Sequence, residues 1–234
     1  MNNIEYHLGE LEIARTPGDP RWIQPPLPGD LSAVLDVGCG VGQTLITCEL
    51  KPDAFVCGVD VDGESLAFGK GLAPRIHFVR APGERLPFHD DSFGMAIARV
   101  SLPFMNLPVA LQEIARVIKP GGHVWFTLHP FNMLRERVGA MVRSMNLNGL
   151  VFAIYILING MWFHLTGRLF RYPLRRERIE SFQTIGGMTR AMRRAGFEQV
   201  RIERGRFFVV TAIKRGRLPL TDSEEEKLCV ASVA

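Results

Sequence analysis

Val34-Leu-Asp-Val-Gly-Cys-Gly-Val-Gly-Gln-Thr44 joins a short apolar run to three alternating glycines and then to the opening of a helix. Ala33 to Val37, rich in β-branched residues, has the composition of a central parallel strand buried on both faces. Gly38, Gly40 and Gly42 remove side chains where the backbone must turn tightly and where a ligand must come close. Asp36 stands at the end of the strand, and in open α/β sheets ligands bind beyond the carboxyl ends of the strands. A dinucleotide fingerprint would need its third glycine at position 43, which is Gln43, so a nicotinamide cofactor is disfavoured. No Lys-Ser/Thr follows the glycines, which excludes a triphosphate-binding P-loop.

Working outward, Val56-Cys-Gly-Val-Asp60 is a second apolar strand ending in an acid. Glu84-Arg-Leu-Pro-Phe88, Asp91-Ser-Phe93 and Leu111-Gln-Glu-Ile-Ala-Arg-Val-Ile-Lys-Pro-Gly-Gly122 follow in order. With the glycine loop, these blocks resemble the class I S-adenosylmethionine-dependent methyltransferases, in the small-molecule branch often called type 11. The resemblance implies a Rossmann-like α/β sandwich around a seven-stranded mixed sheet that finishes in an antiparallel hairpin. It implies S-adenosylmethionine as cofactor, with Asp36, Gly38, Cys39, Gly40, Gly42, Gln43 and Thr44 around its amino-acid end and Asp60 and Val61 at the ribose. Where the family reads adenine with an Asp-Ala pair this chain has Pro82-Gly83, so the resemblance leaves Gly83 and Glu84, with Arg85 beside them, for that role. Gly94 replaces the family's usual Asp after Phe93.

Arg99, Ser101, Phe104 and Asn106 lie at or beyond the end of a fourth strand, Met95 to Val100, where the transferred methyl group should point. Arg99 is therefore a candidate for both cofactor and reaction centre. Ser101-Leu-Pro-Phe104 resembles the Asp/Asn/Ser-Pro-Pro-aromatic motif of nitrogen methyltransferases but lacks its first proline. His129, at the end of a fifth strand from His123, is the candidate general base, because an imidazole titrates near neutrality and can take a hydroxyl proton. A structural histidine before Pro130 is the competing reading. The other histidines and the cysteines at 39, 48, 57 and 229 show no ligand spacing, so no metal is expected.

The 234 residues suit one α/β domain with an appendage. Its expected parts are an arm at 1–30, irregular after about one helical turn, a cofactor-binding core at 31–130, an insert at 131–180, a C-terminal core at 181–217 and a tail at 218–234. Trp22 and Ile23 of the arm are candidates to cover the cofactor or to pack. Unpaired cysteines and an N-terminus lacking an apolar leader point to the cytoplasm.

The formal charge of +4 is unevenly spread: residues 1–130 carry 10 basic and 15 acidic side chains, 131–217 carry 17 and 5. Within that basic segment, Leu147 to Leu165 holds no Lys, Arg, Asp or Glu, long enough to span a membrane. A span would put two parts of one sheet on opposite sides of a bilayer, so four readings stay open. They are a buried helix, a homodimer interface, a lid with an apolar wall over the substrate, and a segment touching a membrane surface beside Arg143, Arg168 and Arg171. The expected substrate is a small lipophilic or aromatic, even polyketide-like, metabolite, anionic if the arginines offset an acid, methylated on oxygen. Carbon methylation of a membrane-borne quinone or lipid is the alternative, and a non-catalytic cofactor-binding scaffold the third. No nucleic-acid partner is expected, for lack of a binding module.

Overall fold

The computed structural model describes residues 3–28, 31–128, 147–174 and 181–216, with 139 and 179 as single positions. Along the chain run α1 (Asn3–Arg15), β1 (Ala33–Val37), α2 (Gln43–Thr47), β2 (Phe55–Asp60), α3 (Gly63–Leu72), β3 (His77–Arg80) and β4 (Phe93–Arg99). After a 3-10 turn at Leu102–Phe104 come α4 (Leu107–Val117), β5 (Ile118–Leu128), α5 (Leu147–Thr166), α6 (Ile185–Arg194), β6 (Phe197–Arg204) and β7 (Phe208–Lys214). The sheet order is β3-β2-β1-β4-β5-β7-β6. β1 to β5 pair in parallel, while β7 is antiparallel to β5 and to β6. The expected mixed sheet with its closing hairpin is thus present.

Alternation along the central strands explains why this region reads as a continuous apolar run. Leu35, Val37, Ala96, Ala98, Val124 and Phe126 enter one core with α4 and α6, while Val34, Met95, Ile97 and Trp125 enter a second core on the other face. α4 supplies Leu107, Ala110, Leu111 and Ile114, spaced to form one buried stripe, behind Pro108 near its start. β5 begins five residues earlier than its apolar run, at Ile118, because Pro120-Gly121-Gly122 passes close beside β4. A Cβ on Gly122 would come within 2.9 Å of the Gly94 carbonyl oxygen.

The arm departs from expectation. Instead of one turn, residues 3–15 form a 13-residue helix, because the prolines that break regular structure begin only at Pro17. Leu11 and Ala14, one turn apart, are buried, and α1 lies against α2 and α3. Beyond it, Ile23 and Leu27 pack into the second core and Gln24 Nε2 donates to the Thr47 carbonyl at 3.1 Å. Ile23 is therefore packing, and neither it nor Trp22 lines the cofactor cleft.

The insert contains a 20-residue helix, α5, which by length and composition could cross a membrane, yet one side of it packs within the domain. Phe163 enters the first core beneath α6, and the Phe182 ring fills the space beside Gly160. Asn159 is fully buried and anchors the returning chain, accepting from the Phe170 amide at 3.0 Å and donating to the Phe170 carbonyl at 3.1 Å.

Candidate functional site

The carboxyl ends of β1, β2 and β4 meet at a cavity of about 300 Å³. Its floor starts at the glycine loop, where the amides of Gly38 and Cys39 both donate to the Val59 carbonyl, at 2.7 and 3.0 Å. This pulls the end of β1 against β2. Gly38 has φ +77°, and a Cβ there would collide with Ser101. The Gly40 amide donates to Asp60 Oδ2 at 2.9 Å, and the Asp62 amide donates to Asp60 Oδ1 at 3.0 Å. Asp60 therefore fixes two loops while its carboxylate lines the cavity.

Of the residues read from sequence, Gly38, Gln43, Asp60, Val61, Gly83, Glu84, Arg99, Ser101 and Phe104 line this cavity together. Cys39, Gly40, Gly42 and Thr44 do not. The Cys39 thiol is buried against Gly58, the space beside Gly40 is taken by the His7 ring, and Gly42 packs under Phe78. Asp36 sits behind the lining, 1% exposed, and its Oδ1 has no hydrogen-bond partner. Burial, followed by the nearby Asp60 carboxylate, pushes its pKa up to about 7 against the opposing pull of Arg99. His129 lies outside the described residues.

Several wall residues carry no sequence signal. Tyr6, His7 and Glu10 of α1 close one side of the cavity. Glu10 Oε2 is 3.0 Å from Arg99 Nη2, and the Arg99 side chain is only 9% exposed. Burial holds the His7 pKa below its usual value, against the carboxylates of Asp60, Asp62 and Glu10. Val100 adopts φ +59°, which is strained for a β-branched residue. The left-handed turn breaks strand alternation, so Arg99, Val100 and Ser101 all line the cavity in succession. Ser101 Oγ donates to the Val37 carbonyl at 2.5 Å, and of the partial nitrogen-methyltransferase motif Leu102 and Pro103 are buried while Ser101 and Phe104 line the cavity.

Two of the motif blocks turn out to be structural staples. Arg116 Nη2 donates to the Leu86 carbonyl at 2.9 Å and Nη1 to that of Phe88 at 2.8 Å, while Glu113 Oε2 accepts from the Leu86 amide at 3.0 Å. They clamp the Glu84–Phe88 loop to α4, which leaves Gly83 and Glu84 on the cavity wall. Glu84 Oε1 accepts from the Asn106 amide at 2.7 Å. Pro82 and Arg85 do not line the cavity. None of the described residues of α5 is among those that line it, and Tyr6, Phe104 and Met105 stand at the cavity. Among the described residues no group of His, Cys, Asp or Glu could hold a metal ion.

This arrangement suits an elongated ligand with an acceptor-poor cationic end near Asp36 and a hydroxylated middle at Asp60. A model of the methyltransferase domain, of the type 11 group, matches residues 35–126. Those 92 residues, fewer than half of the 234, are what the chain shares with that domain. Solved S-adenosylmethionine-dependent methyltransferases share its fold: one from Thermotoga maritima superposes with a TM-score of 0.56 at 17% identity, covering 90% of this chain and 89% of that one. One from Methanosarcina mazei gives 0.55 at 21%, covering 82% and 95%.

In sequence, the chain is 28% identical over 171 residues to the demethylmenaquinone methyltransferase of Chlorobaculum tepidum, covering 71% of this chain and 65% of that protein. It is 38% identical over 112 residues to a ubiquinone/menaquinone biosynthesis C-methyltransferase of Bartonella tribocorum, covering 43% and 42%. The chain thus spans less than two thirds of the length of these relatives. The solved proteins that share this fold are named for their dependence on S-adenosylmethionine. The residues present fit it: an orphaned buried carboxylate oxygen on Asp36 answers an ammonium, and Asp60 answers ribose hydroxyls. Gly83 lines the cavity with no side chain of its own, packed so closely against Met105 and Val37 that a Cβ there would collide with both.

Proposed function

We propose that this protein transfers a methyl group from S-adenosylmethionine to a hydroxylated, lipophilic small molecule, through oxygen. The observation that carries this reading is the composition of the cavity beyond Asp60, where Phe104, 66% exposed, stands with Tyr6 and Met105 beside the Glu10–Arg99 pair. Apolar side chains left open to solvent beside one ion pair suit a ligand that is mostly apolar with a single polar handle.

The bound cofactor supplies an electrophilic methyl on a sulfonium. The protein's part is to hold an acceptor oxygen in line with it and to remove water. Arg99 offers positive charge where an acceptor hydroxyl becomes an oxyanion. Glu10 presents a carboxylate 3.0 Å from that guanidinium, within reach of a proton leaving the cavity. His129, which follows β5 in the sequence, remains our proposal for the general base. The free cysteines at 39, 48 and 57 support a cytoplasmic location, and burial pushes the Cys48 and Cys57 thiols up to about 12, so neither serves as a nucleophile.

Carbon methylation is the second reading, favoured by the quinone C-methyltransferases among the relatives. One ring hydroxyl, once deprotonated, activates both its oxygen and the adjacent ring carbon, so the same residues serve either outcome. The test is labelled methyl transfer to hydroquinones with alkyl tails and to simple phenols, with the methylated atom located by NMR. Transfer to oxygen, lost in Arg99→Ala and His129→Gln, is the expected result. Transfer to carbon establishes the second reading. Cofactor binding with no transfer to any of these acceptors contradicts both and leaves the scaffold role.

A further inference from the structure

We infer that the exposed face of α5 is a docking surface for an anionic lipid membrane, an interaction beyond methyl transfer itself. The face is defined by Val151, Ile154, Ile158, Met161, Trp162 and Leu165, between 38% and 61% exposed. At 100° per residue these six fall within one stripe about 100° wide, running the length of the helix. The opposite arc, with Phe152, Ile156, Asn159 and Phe163, is buried against the domain. A helix apolar all round belongs inside a core, and here half of it faces out.

Charge selects the occupant. Residues 147–174 and 181–196 together contain Arg168, Arg171, Arg190, Arg193 and Arg194 and no Asp or Glu. The structure brings Arg190 and Arg194 to one end of the stripe. Arg190 Nη1 donates to the His164 carbonyl at 2.5 Å and Arg194 Nη1 to the Thr166 carbonyl, so α6 lays its arginines across the last turn of α5. Arg168 is exposed immediately after that turn, as is Arg193 on α6. An apolar stripe collared by arginines matches the acyl boundary and the phosphates of an anionic leaflet. Trp162, half exposed on the stripe, has the amphipathic ring that favours the headgroup level. A second copy fits worse. An isologous contact presents the same face to itself, and among the described residues of α5, α6 and the chain joining them there is no acid to receive Arg168, Arg190, Arg193 and Arg194.

The experiment uses the full chain, sedimented with vesicles of phosphatidylcholine and phosphatidylglycerol or of phosphatidylcholine alone, at low and high salt. Binding to the mixed vesicles, weakened by salt and by omitting phosphatidylglycerol, is expected. Ile158→Glu and Leu165→Glu, both at exposed positions, should each weaken it by about tenfold or more. Arg168→Gln and Arg193→Gln should each cost about fivefold. Trp162 fluorescence should shift to the blue on binding, and Trp162→Phe should remove the shift while keeping sedimentation. Cofactor affinity, measured by calorimetry on every variant, should not change, which separates this inference from the proposed activity. Three results overturn it: no sedimentation with mixed vesicles, sedimentation indifferent to the glutamates, or a dimer that Ile158→Glu dissociates while vesicles are ignored.

Discussion

Asp36 shows what a single buried carboxylate does at the root of the site. Its pKa, held up to about 7 by burial and by Asp60, exceeds the ordinary 3.8, so the folded chain keeps this proton better than the unfolded chain does. The stability attached to the group is therefore full below about pH 4 and lost as pH rises toward 7. A ligand cation beside Asp36 reverses the shift, because it favours the charged carboxylate. Cofactor binding must then expel a proton below neutrality. Calorimetry from pH 8 down to pH 5.5 should show affinity falling once pH drops below about 7, approaching about tenfold per unit, and Asp36→Asn should flatten the profile. Val100 is the complementary case at this scale, since no pattern of residue types marks a valine for φ +59°. Its conformation is imposed by what the site needs from Arg99 and Ser101 on either side.

Among the elements, α1 and α5 carry the lessons. α1 brings Glu10 to Arg99 and His7 to the glycine loop, so a helix from the first residues completes a cavity whose other walls come from strand ends. Glu10→Ala leaves a mostly buried guanidinium without its carboxylate. The expected cost is about 2–3 kcal/mol of stability, discounted because the Glu10 side chain is partly solvated, together with faster cofactor release. Stopped-flow displacement and thermal melts measure the two effects, and Glu10→Gln should recover part of both. The strands and closing hairpin were legible in the sequence, because Ala33–Val37, the run to Asp60, and the residues either side of Gly205 show the buried-strand or turn patterns that packing demands. α1 was not, since Tyr6, His7 and Glu10 look like a polar face until Arg99 is folded beneath them. α5 was legible as a long apolar helix but not as to its placement. A helix apolar on every side gives no hint that Phe163 faces the core and Ile158 faces out. Of the cofactor residues, those from Gly38 to Glu84 that touch the cavity were marked by motif, whereas Gly40 and Gly42 share the motif and serve packing.

At the scale of the whole molecule, the two halves differ in charge as they differ in task. Residues 1–130, which build the cavity, carry a formal net charge of −5 from 10 basic and 15 acidic side chains, and 131–217 carry +12 from 17 and 5. The acidic half suits a cationic cofactor, and the basic half suits an anionic surface. Because the cavity draws on α1, the β1 and β2 loops, and the end of β4, ligand binding ties distant parts of the chain together. A cofactor concentration about a hundredfold above its Kd should contribute about 2.7 kcal/mol to folding and raise Tm by about 5–10 °C for a chain of this size. Absence of any shift in a melt would leave the cavity without its assigned ligand.

Titration of S-adenosylmethionine into the wild-type chain and into Asp60→Ala tests the central claim most directly. Asp60 both receives the glycine-loop amide of Gly40 and lines the cavity, so its removal loosens the loop and deletes charge-assisted hydrogen bonds worth about 1.5–3 kcal/mol each. The account predicts one site per chain in the wild type, also occupied by the demethylated product, and an affinity at least about tenfold weaker in Asp60→Ala. No binding heat in the wild type, or equal affinity in the two proteins, would contradict it.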